Sequence, residues 1–151
     1  MDALGPVVIR YAKSDEDVVA MHRFLCIVVG PTLPGQIDAK DSVEEVWRCT
    51  NHDVALMAMR GPLLVGTLGI IQPSAWWNRK EKFLANRWLT TIPGSRTLLP
   101  LIREGVAIAV ASKLELHIYD ETKERLVIFN KNPLRQAARA NEPKSSLALD
   151  K

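Results

Sequence analysis

The stretch Trp76-Trp77-Asn-Arg-Lys-Glu-Lys-Phe83-Leu-Ala-Asn-Arg-Trp88-Leu-Thr-Thr-Ile92-Pro93-Gly94-Ser95-Arg96, followed by an amphipathic run to Ser112, decides how the chain is read. Phe83 to Ile92, with aromatic and β-branched residues, predicts a strand. From Arg96 to Ser112, Leu98, Leu101, Ile102, Val106 and Ala109 share one side and predict a helix. Pro100 is tolerated there because it sits in the first turn. Between strand and helix, Pro93-x-x-Arg96 is a turn. The first N–H groups of a helix have no intrahelical partner, so such a turn is a ready place for phosphate. The same stretch lacks the glycines that let a backbone close around a pyrophosphate.

The hydrophobic pattern extends in both directions from this segment. Asp53 to Arg60 and Leu63 to Ile71 read as strands joined by a Gly61-Pro62 turn, a hairpin. With Phe83 to Ile92 they predict three consecutive antiparallel strands. Gly66 and Gly69 inside the second strand signal a bulge or a close backbone approach. Gln72 to Lys82 is expected to be a loop. Val7 to Tyr11 is a short first strand. Ser14-Asp-Glu-Asp17 is a capping box that opens a helix carrying Val18, Met21, Leu25 and Val29, ended by Gly30-Pro31. After a loop from Thr32 to Lys40, Ser42-x-x-Glu45 reads as a second capping box, opening a short helix to about Cys49 with Trp47 in the core. Leu114 to Tyr119 alternates as a strand. The strand–helix–strand spacing after Ile92 suits a right-handed crossover, so this strand should lie parallel to Phe83–Ile92. Glu121 to Asn130 reads as a last short helix. The order is β-α-α-β-β-β-α-β-α. This is an α/β class with a mixed, mostly antiparallel sheet, in one domain over 1–133 with a polar tail over 134–151. A tail of that composition is ordinarily disordered.

The bulk numbers exclude several functions. The 151 residues are 47% hydrophobic and 25% charged, ordinary for a globular chain. A net charge of +3 without a Lys/Arg block gives no case for nucleic acid. Cys26 and Cys49 fall in predicted helices with no metal spacing and read as reduced, buried thiols. His22, His52 and His117 are scattered, so no metal is expected. His117 alternates with Leu116 and Ile118 and should point away from the main core. Met1 to Pro6 shows no signal-peptide pattern, and no apolar run reaches the ~18 residues of a membrane span.

The element order, the tryptophan-rich loop, Trp88 in its strand and the Pro93-x-x-Arg96 turn together resemble the Gcn5-related N-acetyltransferase (GNAT) fold. The resemblance covers about residues 7–133. Trp76 to Arg96 looks most like the short GNAT-like proteins of tailed bacteriophages, and Leu126-Val-Ile-Phe129-Asn-Lys131 is similar to the family's closing motif, in which an aromatic and a Lys follow an apolar helix. The resemblance implies an acetyl-CoA site at the turn after the fourth strand, in a loop of the form Arg/Gln-x-x-Gly-x-Gly/Ala. A strand splay there admits the pantetheine as a pseudo-strand. Carried onto this chain, Ser95, Arg96, Thr97, Leu98 and Leu99 would hold the cofactor. In one register Arg96 takes the first Arg position, and Thr97 and Leu99 stand at the glycine-type positions. In the other, Gly94-Ser95-Arg96 is itself the loop.

Further departures concern chemistry. The family often uses a carboxylate on the fourth strand as base, and Phe83–Ile92 has none. Glu81, just before it, and Asp53 are candidates. Phe129 stands nearest the place of the family's acidic Tyr and has no ionisable hydroxyl. Tyr119 could substitute, or be a strand-end aromatic packed on the core. Trp76, Trp77 and Trp88 could line a substrate groove, anchor a partner, or cover the sheet edge. Two functions follow from the resemblance. One is a non-catalytic assembly or bacteriophage virion component with weak or absent acetyl-CoA binding, which self-assembles or meets other virion proteins. It is favoured by the missing glycines, the missing carboxylate, Phe129 and the absence of the family's last two strands. The other is an acetyl-CoA-dependent N-acetyltransferase acting on a small amine or a protein amine. Either would sit in a bacterial host's cytoplasm or in the virion, with no nucleic-acid or membrane partner.

Overall fold

The computed structural model describes residues 5–75, 77–120 and 123–133; Trp76 and the tail 134–151 lie outside the described residues. The elements are β1 (Val7–Tyr11), α1 (Asp15–Val28), a 3-10 turn (Gly30–Thr32), α2 (Ala39–His52), β2 (Val54–Arg60), β3 (Leu63–Ile71), β4 (Ser74–Ala75), β5 (Asn78–Lys82), β6 (Leu84–Thr91), α3 (Leu98–Ser112), β7 (Leu116–Asp120) and β8 (Arg125–Phe129). Six strands form one sheet in the order β1-β2-β3-β6-β7-β8, while β4 and β5 form a small hairpin of their own. β1, β2, β3 and β6 pair antiparallel, β6 and β7 pair parallel, and β7 and β8 pair antiparallel. The three-strand meander and the parallel crossover are as the sequence predicts. The expected loop over 72–82 contains the β4–β5 hairpin instead.

Helix α1 starts where the capping box puts it. The Ser14 hydroxyl oxygen accepts a hydrogen bond from the Asp17 N–H, and the Asp17 carboxylate accepts one from the Ser14 N–H. Asp17 also pairs in two bonds with Arg10 of β1, at 2.9 and 2.8 Å, tying strand to helix. The second helix corrects the sequence reading. It begins at Ala39 with Asp38 as the cap, accepting from the Asp41 N–H at 2.9 Å. Ser42 lies inside the helix and its hydroxyl donates back to the Asp38 carbonyl at 2.7 Å. Trp47 is not core: it is 46% exposed, edge-on to His52.

Two cores sandwich the sheet. Leu56, Ala58, Leu68, Ile70 and Leu116 pack under Leu101 and Ala109 of α3. On the other face Ala55 and Met57 meet Val18 and Met21 of α1 and Val46 of α2, with Trp88 against them. Alternate residues of β2 thus serve opposite layers, as strand geometry requires.

The C-terminal reading is overturned. Arg125-Leu-Val-Ile-Phe129 is a strand, not part of a helix, and it pairs with β7 from Leu116↔Phe129 to Asp120↔Arg125. Five residues dominated by β-branched and aromatic side chains are too short for a stable helix and fit a pleated edge. Glu124 at φ +49° serves the hairpin turn, whose residues 121–122 lie outside the described residues. Phe129 therefore packs against the α3-side core from a strand. Tyr119 is 48% exposed, which removes its reading as a core aromatic.

Candidate functional site

The strand β6 carries a bulge on its β3 side, next to the place where its pairing with β7 ends. Its register against β3 runs Gly69↔Trp88 and then Ile70↔Asn86, so Arg87 is an extra, bulged residue. A bulge bends a strand and increases its local twist. On the other side of β6, the parallel pairing with β7 comprises Leu84↔Leu116 and Ala85↔His117 and stops there. The two strands part where the bulge begins. At the vertex, the Asn86 Oδ1 accepts from the Tyr119 backbone N–H at 2.9 Å, and its Nδ2 donates to the Tyr119 carbonyl at 3.4 Å.

Beyond that vertex, β6 keeps β3 as a ladder partner on one edge. The Ile92 N–H donates to the Val65 carbonyl at 2.9 Å and sets the phase. Antiparallel alternation then turns Trp88 and Thr90 toward β3, and the N–H and C=O of Leu89 and Thr91 into the gap. Such an edge accepts an extended chain as an added strand. From Arg87 to Thr91 it runs four rises, roughly 13 Å at a strand rise of about 3.3 Å.

Two glycines shape the surroundings as the sequence predicts. A Cβ on Gly69 would stand 2.7 Å from the Trp88 indole, so only glycine lets the ring lie flat on β3. The indole N–H then donates to the Thr67 hydroxyl at 3.0 Å, which itself donates to the Leu56 carbonyl at 2.8 Å. A Cβ on Gly66 would stand 2.7 Å from the Thr97 hydroxyl, so the turn after β6 can seat against β3.

That turn closes the wide end of the gap. Ser95 N–H donates to the Ile92 carbonyl at 3.0 Å, with Gly94 at φ +78° and Arg96 at φ +59°. Gly94-Ser95-Arg96 is the turn proper. Thr97 is fully buried, its hydroxyl 2.8 Å from that of Ser95, so its side chain faces inward rather than across the loop. Helix α3 begins at Leu98, without a side-chain cap. Pro100 brings no N–H, so the helix start offers the amides of Leu98 and Leu99 as its free donors. Arg96 is exposed, and Leu99 is 61% exposed. The Arg60 guanidinium donates to the Ser95 carbonyl at 2.8 Å and to the Gly5 carbonyl at 2.9 Å, fixing the turn from below.

The structure thus gathers Ser95, Arg96, Thr97, Leu98 and Leu99 at one corner and brings Tyr119 to the vertex of the splay. The carboxylate candidates stand elsewhere. Glu81 is on β5 in the separate hairpin, and Asp53 caps the C-terminus of α2. Trp77 is 65% exposed in the link between β4 and β5. Arg60 and Asn86 escape the sequence reading. The available signal for Asn86 was a strand-averse amide inside an apolar run.

Cys26 on α1 and Cys49 on α2 are free thiols; Cys49 is buried as expected, whereas Cys26 is only partly buried. Burial pushes Cys49 up to about 12, which makes it inert. Among the described residues there is no group of three His, Cys, Asp or Glu able to hold a metal, and no helix long and apolar enough to cross a membrane. His117 lies half-buried between the rings and charges of its neighbours, stacked on Phe83 with centroids 4.5 Å apart and 3.1 Å from the carboxylate of buried Glu115.

The sequence matches no protein-family model and no curated protein. The structure is similar to solved ones. A predicted acetyltransferase with acetyl-CoA from Clostridium acetobutylicum has a TM-score of 0.60 at 15% identity, over 80% of this chain and 84% of that chain. A GNAT family acetyltransferase from Brucella melitensis in complex with acetyl-CoA has a TM-score of 0.61 at 14% identity, over 77% of each chain. A ribosomal-protein-alanine N-acetyltransferase from Brucella melitensis biovar Abortus 2308 has a TM-score of 0.60 at 12% identity, over 77% of this chain and 80% of that chain. The chain has the GNAT fold.

Proposed function

We propose that the chain is an acetyl-CoA-dependent N-acetyltransferase acting on an amine. The observation that supports this reading most is the β6–β7 splay, with the Leu89 and Thr91 backbone groups facing into it. The turn with Ser95, Arg96, Leu98 and Leu99 would take the pyrophosphate through backbone N–H groups and one guanidinium. Thr97 would support that turn from inside. Bound acetyl-CoA supplies an activated acyl group as a thioester. The N–H groups on the gap edge would steady charge that develops on the carbonyl oxygen. No carboxylate stands on β6, so the amine must arrive neutral or lose its proton to water. Holding the reactants side by side can still supply several kcal/mol of the barrier.

The helix start argues for modest affinity. With Pro100 lacking an N–H and Leu99 in place of a small residue, the phosphate contacts are fewer than a glycine loop gives. Titration calorimetry with acetyl-CoA should give a Kd in the tens of micromolar, about −6 to −7 kcal/mol. No heat at millimolar acetyl-CoA would overturn the reading.

A second reading has its own observation. The strand β8 presents an exposed Leu126 and, among the described residues, has no strand partner on its outer edge, a template for another chain. With a weak cofactor site, that edge supports a non-catalytic assembly component, self-associating or joining other proteins of a bacteriophage virion. Sedimentation separates the two readings: a monomer that binds acetyl-CoA fits the enzyme, and an oligomer that does not bind it fits the assembly component.

A further inference from the structure

We propose that a cleft at the C-terminal end of α3 binds a small phosphate-bearing anion, at a site separate from the turn at Ser95–Leu99. The cleft has a volume of about 270 Å³, and its lining includes Lys82, Lys113, Glu115, Asn130, Lys131 and Asn132. The three lysines come from distant points of the chain: the end of β5, the cap of α3 and the segment after β8. All three are exposed, and among the described residues none of them is in an ion pair. Ammonium groups converging on one cleft repel one another, and an anion seated between them relieves that repulsion.

The walls hold this shape without help from a ligand. α3 ends at Lys113, in the left-handed region at φ +57°, and its N–H donates to the Ala109 and Val110 carbonyls. Asn130, also left-handed at φ +54°, donates from Nδ2 to the Leu114 carbonyl at 2.9 Å and to that of Ala109 at 3.4 Å. A helix C-terminus ordinarily repels an anion because its last carbonyls are free. Here the Lys113 N–H and the Asn130 carboxamide occupy carbonyls at that end. Glu115 is the one acid in the described lining, and it is 2% exposed. Its Oε1 lies 3.1 Å from His117 Nε2, and its Oε2 accepts the Asn132 N–H at 2.9 Å. The carboxylate therefore points inward and fixes the backbone beside Lys131, rather than pairing with any of the three lysines. The cleft is small beside most ligand pockets, which run from about 300 Å³ upward. It suits a phosphate group with a short organic part, not a strand of nucleic acid. Lysine binds phosphate as a point charge and demands no single geometry. The length of α3, ~21 Å from Leu98 to Ser112, separates the cleft from the Ser95–Leu99 turn, so no small anion reaches both.

Amide NMR of the full chain tests this, with inorganic phosphate and glycerol 3-phosphate as separate titrants in about 0.15 M sodium chloride, which screens diffuse surface attraction. Saturable shifts are expected at Lys113, Glu115, Lys131 and Asn132. Lys113→Gln and Lys131→Gln should each weaken binding about tenfold or more, the scale of a hydrogen bond to a charged group. Lys123→Gln, at an exposed lysine between β7 and β8, should leave it unchanged. Tighter binding of glycerol 3-phosphate assigns the site to a phosphomonoester, and equal affinity assigns it to the free ion. Shifts that only follow ionic strength, or that Lys123→Gln diminishes as much as the other two, overturn the site. Shifts confined to Ser95–Leu99 overturn it as well while supporting the phosphate turn of the transferase reading, so the two readings fail separately.

Discussion

The strand pairs β2–β3 and β6–β7 belong to one sheet and behave in opposite ways. β2 and β3 keep register from Val54↔Ile70 to Arg60↔Leu63, absorbing one bulge between Ala58 and Met59 without parting. β6 and β7 part after their second register pair, beside a single bulge. The difference lies in what surrounds each bulge. Around Ala58 both strands are covered on both faces by buried side chains, so opening them would expose core on two sides. At Arg87 the side chain is exposed, its charge paired with Glu45 of α2 at 3.2 Å, and a polar Asn86 completes the last rung. A sheet stays shut where hydrophobic burial closes it and opens where polar side chains can take over its hydrogen bonds.

This contrast can be broken by mutation. Leu68→Ala, in the closed half, should cost about 2–5 kcal/mol in chemical denaturation, because Leu68 is fully buried and leaves a cavity. Leu89→Ala, beside the gap, should cost less than Leu68→Ala by the same measurement; equal losses would remove the distinction between the halves.

Asp17→Asn should cost about 1–2 kcal/mol by loss of the reciprocal cap and of the Arg10 pair, with the pair discounted because Arg10 is partly exposed. The bond from Arg10 holds the Asp17 carboxyl well below its usual range. Its stabilisation is therefore complete above the unfolded carboxyl value near about 4 and is lost as pH falls below it toward the folded value. Urea midpoints of the parent and Asp17→Asn should converge as pH drops through this window; a gap that widened there would contradict the assignment.

The smallest effect belongs to the open half. Arg96→Ala should leave the melting temperature nearly unchanged, because the side chain is exposed, and weaken acetyl-CoA about five- to tenfold, or roughly 1–1.4 kcal/mol. A large stability loss with unchanged affinity would reverse the roles given to the two halves.

The sequence made the closed half legible because periodicity reports burial. The hairpin at Gly61-Pro62, the meander, the crossover to β7 and the close approaches at Gly66 and Gly69 were all readable from apolar alternation and glycine placement. The turn at Gly94–Arg96 was readable as a turn. What periodicity does not report is where hydrogen bonding leaves the ladder. Asn86 and Arg60 act through backbone atoms distant in sequence, Tyr119 and Ser95, and no local pattern links them. β8 failed for a different reason: Leu126 to Phe129 is an apolar run too short for period to separate strand from helix. Ser42 and Glu45 matched a capping pattern while Asp38, three residues before Asp41, won the cap.

Arg96 at φ +59° has a consequence for how its identity can vary. A residue with a Cβ in the left-handed region is strained by about 1–2 kcal/mol in the native chain. Replacing it with glycine would relieve that strain. It would also widen the unfolded ensemble, which disfavours folding by about 0.5–1 kcal/mol. The relief is the larger of the two, by roughly 0.5–1 kcal/mol. Backbone energetics at position 96 therefore favour glycine modestly, and what arginine brings in return is a positive charge beside the β6–β7 gap.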